Sequence, residues 1–203
     1  PVSAQNLETQ NPETQTAPTP QIIITEIGAF ETSDNEWIEI YNNSGMPVDM
    51  TGWKFFEDGT NHGISIINGT TTLEPATYAI IANKNNSFLE KYLGYNGILF
   101  DSSWGSLKEE GEEIGLKNSS GEVVELFTYP ASVGETSLER VDFNLAASEL
   151  ANWQNHPDSH SIGEGPVPIV EEPEIPEQPE ISEEEEELPE PEPEPEPEQV
   201  PEP

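Results

Sequence analysis

The sequence contains no cysteine, and only six of its 203 residues are basic. Without cysteine, the chain can form neither a disulfide scaffold nor a thiolate metal site. The 41 acidic residues bring the net charge to −35, and such a surface repels nucleic acids and anionic lipids. No segment approaches the roughly 18 apolar residues of a transmembrane helix. We therefore expect a soluble chain that neither binds nucleic acid nor inserts into a membrane.

Proline and glutamate separate both ends of the chain from its middle. Residues 1–20 contain four prolines and almost no large apolar side chains, which predicts a disordered leader. Residues 166–203 contain 12 prolines and 16 glutamates, without a basic or aromatic residue. Proline rings and repelling carboxylates favour an extended polyproline II spacer of about 3.1 Å per residue. The alternative for this composition is a disordered terminus without a function. Residues 21–165 remain as one domain.

Short apolar or alternating runs recur between turn signals throughout this domain. The turn signals include Asp58-Gly59, Asn68-Gly69 and Asn96-Gly97, which tolerate the positive φ of tight hairpins. Many short strands in series predict a sandwich or a barrel. The predicted strands cover residues 22–27, 36–41, 53–57, 63–67, 77–82, 98–100, 113–116, 122–128 and 137–141.

One helix is predicted, over residues 87–93. It starts with a capping box, in which Ser87 is the N-cap and Glu90 follows three residues later, and it stops at Gly94. Since two helical turns are not stable alone, we expect the helix to pack over one end of the sandwich.

Several segments resemble, in order and spacing, the lamin tail domain in its bacterial form. They include Ile-Thr-Glu-Ile at 24–27, Glu-Trp-Ile-Glu-Ile-Tyr-Asn at 36–42 and Pro-Val-Asp-Met-Thr-Gly-Trp at 47–53. Later segments continue the resemblance to about residue 163; they lie at 73–78, 107–116, 134–140 and 152–153. The chain departs from the family pattern at Thr25, Glu109 and Glu112, where the family usually has Asn or Asp.

This resemblance implies an immunoglobulin-like antiparallel β-sandwich without a catalytic centre. The family's bacterial members occur in secreted or surface-attached proteins, often beside other domains. The chromatin contacts of nuclear lamins do not carry over, because this chain has no heptads and no basic face. The residues themselves also give no indication of a catalytic centre, since the sequence has no Gly-x-Ser-x-Gly motif and no cysteine nucleophile.

Trp104 and Asp101 are the candidate ligand-binding residues. Trp104 lies in a stretch of loop-forming residues, where an exposed indole can stack on a sugar ring or contact a peptide. The alternative is that Trp104 fills the core, as most tryptophans do.

Four glutamates of one predicted hairpin loop form the densest acidic cluster in the domain. Calcium prefers carboxylate and carbonyl oxygens from flexible loops, so this loop is a candidate calcium site. It lacks the Asp-x-Asp-x-Asp-Gly order of a dedicated site, and a solvated turn is the alternative. The four residues are Glu109, Glu110, Glu112 and Glu113. We predict no other cofactor.

Polar residues also interrupt the first apolar strands, at Glu26, Glu39 and Asn42. A strand carboxylate flanked by isoleucine usually accepts hydrogen bonds from backbone donors and does not bind a ligand. We therefore predict structural roles for these residues.

Three functions remain open at this point. The first is a monomeric, non-enzymatic binding module of a secreted or cell-surface protein, with the Pro-Glu segment as spacer to an anchor or another domain and with a protein or carbohydrate ligand. The second is a structural, self-assembling component related to lamin tails. The third is an accessory domain of a larger extracellular hydrolase. Because the chain begins at Pro1 rather than Met, we expect a processed or truncated product.

Overall fold

The computed structural model describes residues 21–166. The predicted leader and the predicted Pro-Glu spacer therefore lie outside the described residues, apart from Pro166. The described part contains one α-helix, α1 (Asn85–Lys91), and two short 3₁₀ turns. Its strands are β1 (Ile22–Ile27), β2 (Trp37–Asn42), β3 (Val48–Asp49), β4 (Lys54–Glu57), β5 (Thr60–Gly63), β6 (Ser65–Asn68), β7 (Thr72–Leu73), β8 (Tyr78–Ala82), β9 (Ile98–Asp101), β10 (Glu113–Lys117), β11 (Val123–Thr128), β12 (Leu138–Arg140) and β13 (Trp153–Asn155).

These strands form two large sheets and one small one. The larger sheet has the order β13-β12-β1-β2-β8-β9-β6, and the smaller has the order β11-β10-β4-β5. Strands β3 and β7 pair separately. Neighbouring strands are antiparallel except β8 and β9, which are parallel and are connected through α1. The prediction of an all-β fold with one short helix is confirmed.

Alternation along β2 separates the two faces of the larger sheet. Ile38 and Ile40 belong to the main core, together with Phe55 and Leu116 of the smaller sheet. Trp37 belongs to a second apolar cluster on the outer face and is fully buried. Both faces of this strand are therefore covered.

The outer face is covered in part by α1. Phe88 of the helix packs in the second cluster with Ile80 of β8 and Leu99 of β9. The helix therefore covers a face of the larger sheet, and the prediction that it packs over one end of the sandwich is wrong.

The helix also begins two residues earlier than predicted. Its N-cap residue is Lys84, whose side chain makes no capping hydrogen bond. Instead, Oδ1 of Asp101 accepts the backbone N–H of Asn85 at 2.8 Å. Ser87 lies inside the helix, so the predicted capping box is wrong. The cap comes from Asp101 of β9 and not from Ser87, the residue that the local sequence predicts.

Candidate functional site

Three glutamates lie side by side on the outer face of the larger sheet. Glu26 of β1 is paired with Glu139 of β12 on one side and with Glu39 of β2 on the other. Residues opposite one another on adjacent strands have Cβ atoms about 4.5–5.5 Å apart. Each of the three is at most 2% exposed. We call this set the glutamate row.

The chain that follows β13 covers the glutamate row, and we call residues 156–165 the closing segment. The backbone N–H of Ser161 donates to Oε1 of Glu26 at 2.9 Å, and that of Gly163 donates to Oε2 of Glu39 at 2.6 Å. These amides replace the water that exposed carboxylates would bind. The prediction that Glu26 and Glu39 accept hydrogen bonds from backbone donors is confirmed.

Burial changes the ionisation of two members of the row. Removal from water raises the pKa of Glu26 from 4.5 to about 7, although hydrogen bonds from Ser137 and Ser161 lower it. Burial raises the pKa of Glu39 well above its usual value, and the negative charge of Glu26 raises it further. The folded protein therefore holds these protons more tightly than the unfolded chain. The resulting stability is fully present below about pH 4.5 and is lost as the pH rises through about 7.

A cleft of about 520 Å³ lies between the loop after β1, the C-terminal end of α1 and the closing segment. Glu31, in its wall, forms an ion pair with Lys91 and accepts the hydroxyl of Tyr92 at 2.6 Å. The indole N–H of Trp37 donates to the Tyr92 oxygen at 2.9 Å. Burial and the contact with Glu31 raise the pKa of Tyr92, so its hydroxyl stays protonated. These contacts fix one wall of the cleft.

The closing segment supplies the opposite wall through Ser159 and His160. The His160 ring meets the Tyr92 ring edge to face at 5.0 Å. Burial lowers the pKa of His160 below 6.5, so the ring is neutral at physiological pH. With the half-exposed ammonium of Lys91 and the exposed Glu135, the cleft presents aromatic, cationic and anionic groups. Such a mixture suits recognition of a polar ligand.

Trp104 and Asp101 are used inside the fold. Trp104 is only 7% exposed, its ring lies 4.8 Å from that of Phe55, and its indole N–H donates to Oε2 of Glu36 at 2.7 Å. Trp104 is therefore not an exposed indole, and the alternative prediction, that its ring fills the core, is confirmed. Oδ1 of Asp101 caps α1. A ligand-binding role for Asp101 stays a prediction.

The acidic loop divides into one buried and three exposed side chains. Glu112 is 7% exposed, forms an ion pair with Lys108 at 2.9 Å and accepts the Lys108 backbone N–H. Glu109, Glu110 and Glu113 are exposed. Within residues 21–166, no three His, Cys, Asp or Glu side chains are grouped so that they could hold a metal ion. Calcium binding by this loop stays a prediction.

Sequence reasoning missed the residues that form the cleft. Lys91 and Tyr92 are within the predicted helix, but nothing local indicates that they meet Glu31, about 60 residues earlier in the chain. His160 reads as an exposed loop histidine, yet it packs on Tyr92. The available signal was the spacing of Phe88, Tyr92 and Tyr95 in α1 and directly after it, which indicates that one face of this segment is covered.

The two facing sheets define the class of this domain, which is an immunoglobulin-like β-sandwich. The lamin tail domain model matches residues 15–131, more than half of the chain, and the chain belongs to this family. The match ends before β12, so β12, β13 and the closing segment lie beyond it. Comparison with curated proteins and with solved structures gives no match. In the described part of the chain, no helix has the length and apolarity needed to cross a membrane.

Proposed function

We propose that this chain is a non-enzymatic interaction module of a bacterial secreted or cell-surface protein, and that it binds its partner in the cleft beside α1. The observation that carries the proposal is the contrast between the cleft and the rest of the sandwich. Buried Glu26, Glu36 and Glu125 accept internal hydrogen bonds, whereas the cleft leaves Lys91 and Glu135 accessible beside aromatic rings.

The charge of the domain restricts the partner. Residues 21–165 carry 6 basic and 23 acidic residues, a difference of −17, which opposes nucleic acid and favours partners with cationic groups. The aromatic walls favour a peptide segment or a carbohydrate. The same charge favours a monomer at low salt.

A substitution in the cleft tests the proposal. We expect a peptide or saccharide recovered from a display library or a glycan array to lose at least about fivefold in affinity on Lys91→Ala, because an interaction with a charged group contributes about 1 kcal/mol or more. Affinity is measured by calorimetry. Lys84→Ala is the matched control, since Lys84 is also near α1 but pairs with the exposed Asp34. Equal affinity in the wild type and in Lys91→Ala would exclude the cleft as the binding site.

We further propose that residues 166–203 are a spacer to an anchor or another domain. At about 3.1 Å per residue, a fully extended segment of this length reaches on the order of 120 Å. Small-angle X-ray scattering should therefore give a much larger maximum dimension for the full chain than for a chain ending at residue 166. A maximum dimension that is the same for both would rule out the spacer.

A structural, self-assembling role is the second candidate, and one observation favours it. Strand β11 is at the edge of the smaller sheet and exposes Val123 (55%) and Leu126 (43%). Open edge strands with apolar side chains can pair with another chain. Sedimentation at low and high salt distinguishes the candidates, since a monomer under both conditions would remove support for assembly.

A further inference from the structure

The hydrogen bonds around the glutamate row require more hydrogens than the serine hydroxyls supply. Oγ of Ser161 lies 2.6 Å from Oε1 of Glu139 and 3.2 Å from Oε2 of Glu26. A hydroxyl has one hydrogen, so it donates to only one of these oxygens at a time. The 3.2 Å contact becomes a full hydrogen bond when a carboxyl of the row carries a proton and donates to Ser161; without that proton, the two carboxylates share one hydroxyl hydrogen. The geometry therefore favours a row that retains at least one proton.

The same contacts attach the closing segment to the sheet. The backbone N–H groups of Ser161 and Gly163 donate to Glu26 and Glu39, as described above. The Ser159 carbonyl accepts the backbone N–H of Ser137 at 2.8 Å, just before β12. Two of these three attachments end on carboxylates. The closing segment therefore depends on the ionisation of the row.

Three tyrosines and two histidines lie around Glu26 and Glu39. Tyr78 extends from β8, while Tyr92 and Tyr95 come from α1 and the residues after it; burial raises the pKa of each, so all three stay neutral. The closing segment contributes His156 and His160, and burial lowers the pKa of His160.

The cations of β12 and α1 bind carboxylates outside the row. Arg140 follows Glu139 on β12, but its guanidinium binds Glu125 in the main core. Lys91 pairs with Glu31 in the cleft wall. Hydroxyls and backbone amides therefore supply the hydrogen bonds around Glu26 and Glu39.

We propose that the closing segment is a proton-dependent switch: it packs on the sheet while the glutamate row retains a proton and detaches when the row is fully ionised. Detachment returns the three carboxylates to water and separates their charges. It also removes Ser159 and His160 from the wall of the cleft. The proposal goes beyond the proposed function, because it predicts an opening of this chain that requires no partner.

Thermodynamic linkage gives the direction and the size of the effect. In the closed form the pKa of Glu26 is about 7, and after detachment it returns towards 4.5. Raising the pH through 7 therefore shifts the equilibrium towards the open form, by up to about two orders of magnitude from Glu26 alone. Burial lowers the pKa of His160 in the closed form, so protonation of His160 also favours the open form at low pH, and the effect is measured above pH 6.

Amide hydrogen exchange of the full 203-residue chain between pH 6 and pH 8.5 tests the switch. After correction for the intrinsic exchange rate, we expect the protection of the Ser161 and Gly163 amides to fall at least about tenfold over this range. The amides of Ile80 and Leu99 report on global unfolding and should keep their protection. Constant protection at Ser161 and Gly163, or an equal loss at Ile80 and Leu99, would overturn the proposal.

Neutral substitutions in the row identify the cause. In the double variant Glu26→Gln/Glu39→Gln, which keeps one acceptor oxygen in each side chain but cannot ionise there, we expect the pH-dependent change to shrink to less than about twofold. Glu36→Gln is the matched control, because Glu36 is also buried with a raised pKa but binds Trp104; the switch should persist in it. If the double variant does not fold, Glu39→Gln alone should flatten the response at Gly163. A wild-type response in the folded row variant would contradict the proposal.

Discussion

Replacing Arg140 with methionine should destabilise the domain by about 3–5 kcal/mol, because it leaves a buried carboxylate without its cation. The guanidinium Nη1 lies 2.8 Å from Oε1 of Glu125, and the two side chains are 1% and 5% exposed. Nη2 also donates to the Leu145 carbonyl at 2.6 Å. Burial already raises the pKa of Glu125 despite the opposing charge of Arg140. Urea denaturation at pH 7 measures the loss.

A second substitution separates the charge effect from lost packing. In Arg140→Met/Glu125→Met neither charge of this pair remains, so we expect recovery of at least about half of the lost stability, although the Ile24 amide loses its acceptor. The single variant should also lose less stability at pH 5 than at pH 7, since Glu125 can then take up a proton. A loss below about 1 kcal/mol in Arg140→Met would show that this ion pair is not critical.

Replacing Trp37 with alanine should lower the free energy of unfolding by about 3–5 kcal/mol, because it empties the cluster between α1 and the larger sheet. The Trp37 side chain is fully buried and packs with Phe88 in this cluster. A Cβ atom added at Gly28 would lie 2.5 Å from the indole, which shows how closely the backbone covers the ring. The free energy of unfolding, with helix content followed by circular dichroism, measures the effect.

Trp37→Phe is the control for this prediction. It keeps an aromatic ring and removes mainly the indole N–H that donates to Tyr92. We therefore expect a loss of about 1–2 kcal/mol and an intact helix. If alanine and phenylalanine cost the same, the contribution of Trp37 would come from the hydrogen bond and not from packing.

Local pattern was sufficient to predict most of the sandwich. Strand β1 has the predicted bounds, and the Asp58-Gly59 turn joins β4 to β5, with both residues at positive φ. The period of two along β2 puts Ile38 and Ile40 on one face, and both lie in the main core. These features depend on residues that are close in sequence, so they can be predicted from a single sequence. Strands β3 and β7, with two residues each, are too short to produce a pattern.

The errors arose where a distant residue supplies the decisive contact. Trp104 looks like a loop residue, but Glu36, 68 positions earlier, accepts its indole N–H. Likewise, Asp101 caps α1 from another strand, and no local pattern indicates this. The cleft has the same origin, because its walls come from four separate parts of the chain. Composition and spacing do not specify such contacts.

The last two strands bear on where this domain can be shortened. Strands β12 and β13 lie beyond residue 131, where the family match ends, yet they form one side of the larger sheet next to β1. A chain cut at residue 131 would expose the edge of β1 and remove Arg140, leaving Glu125 alone in the core. We expect such a fragment to aggregate. For expression or grafting of this module, the sequence should therefore extend to at least residue 165.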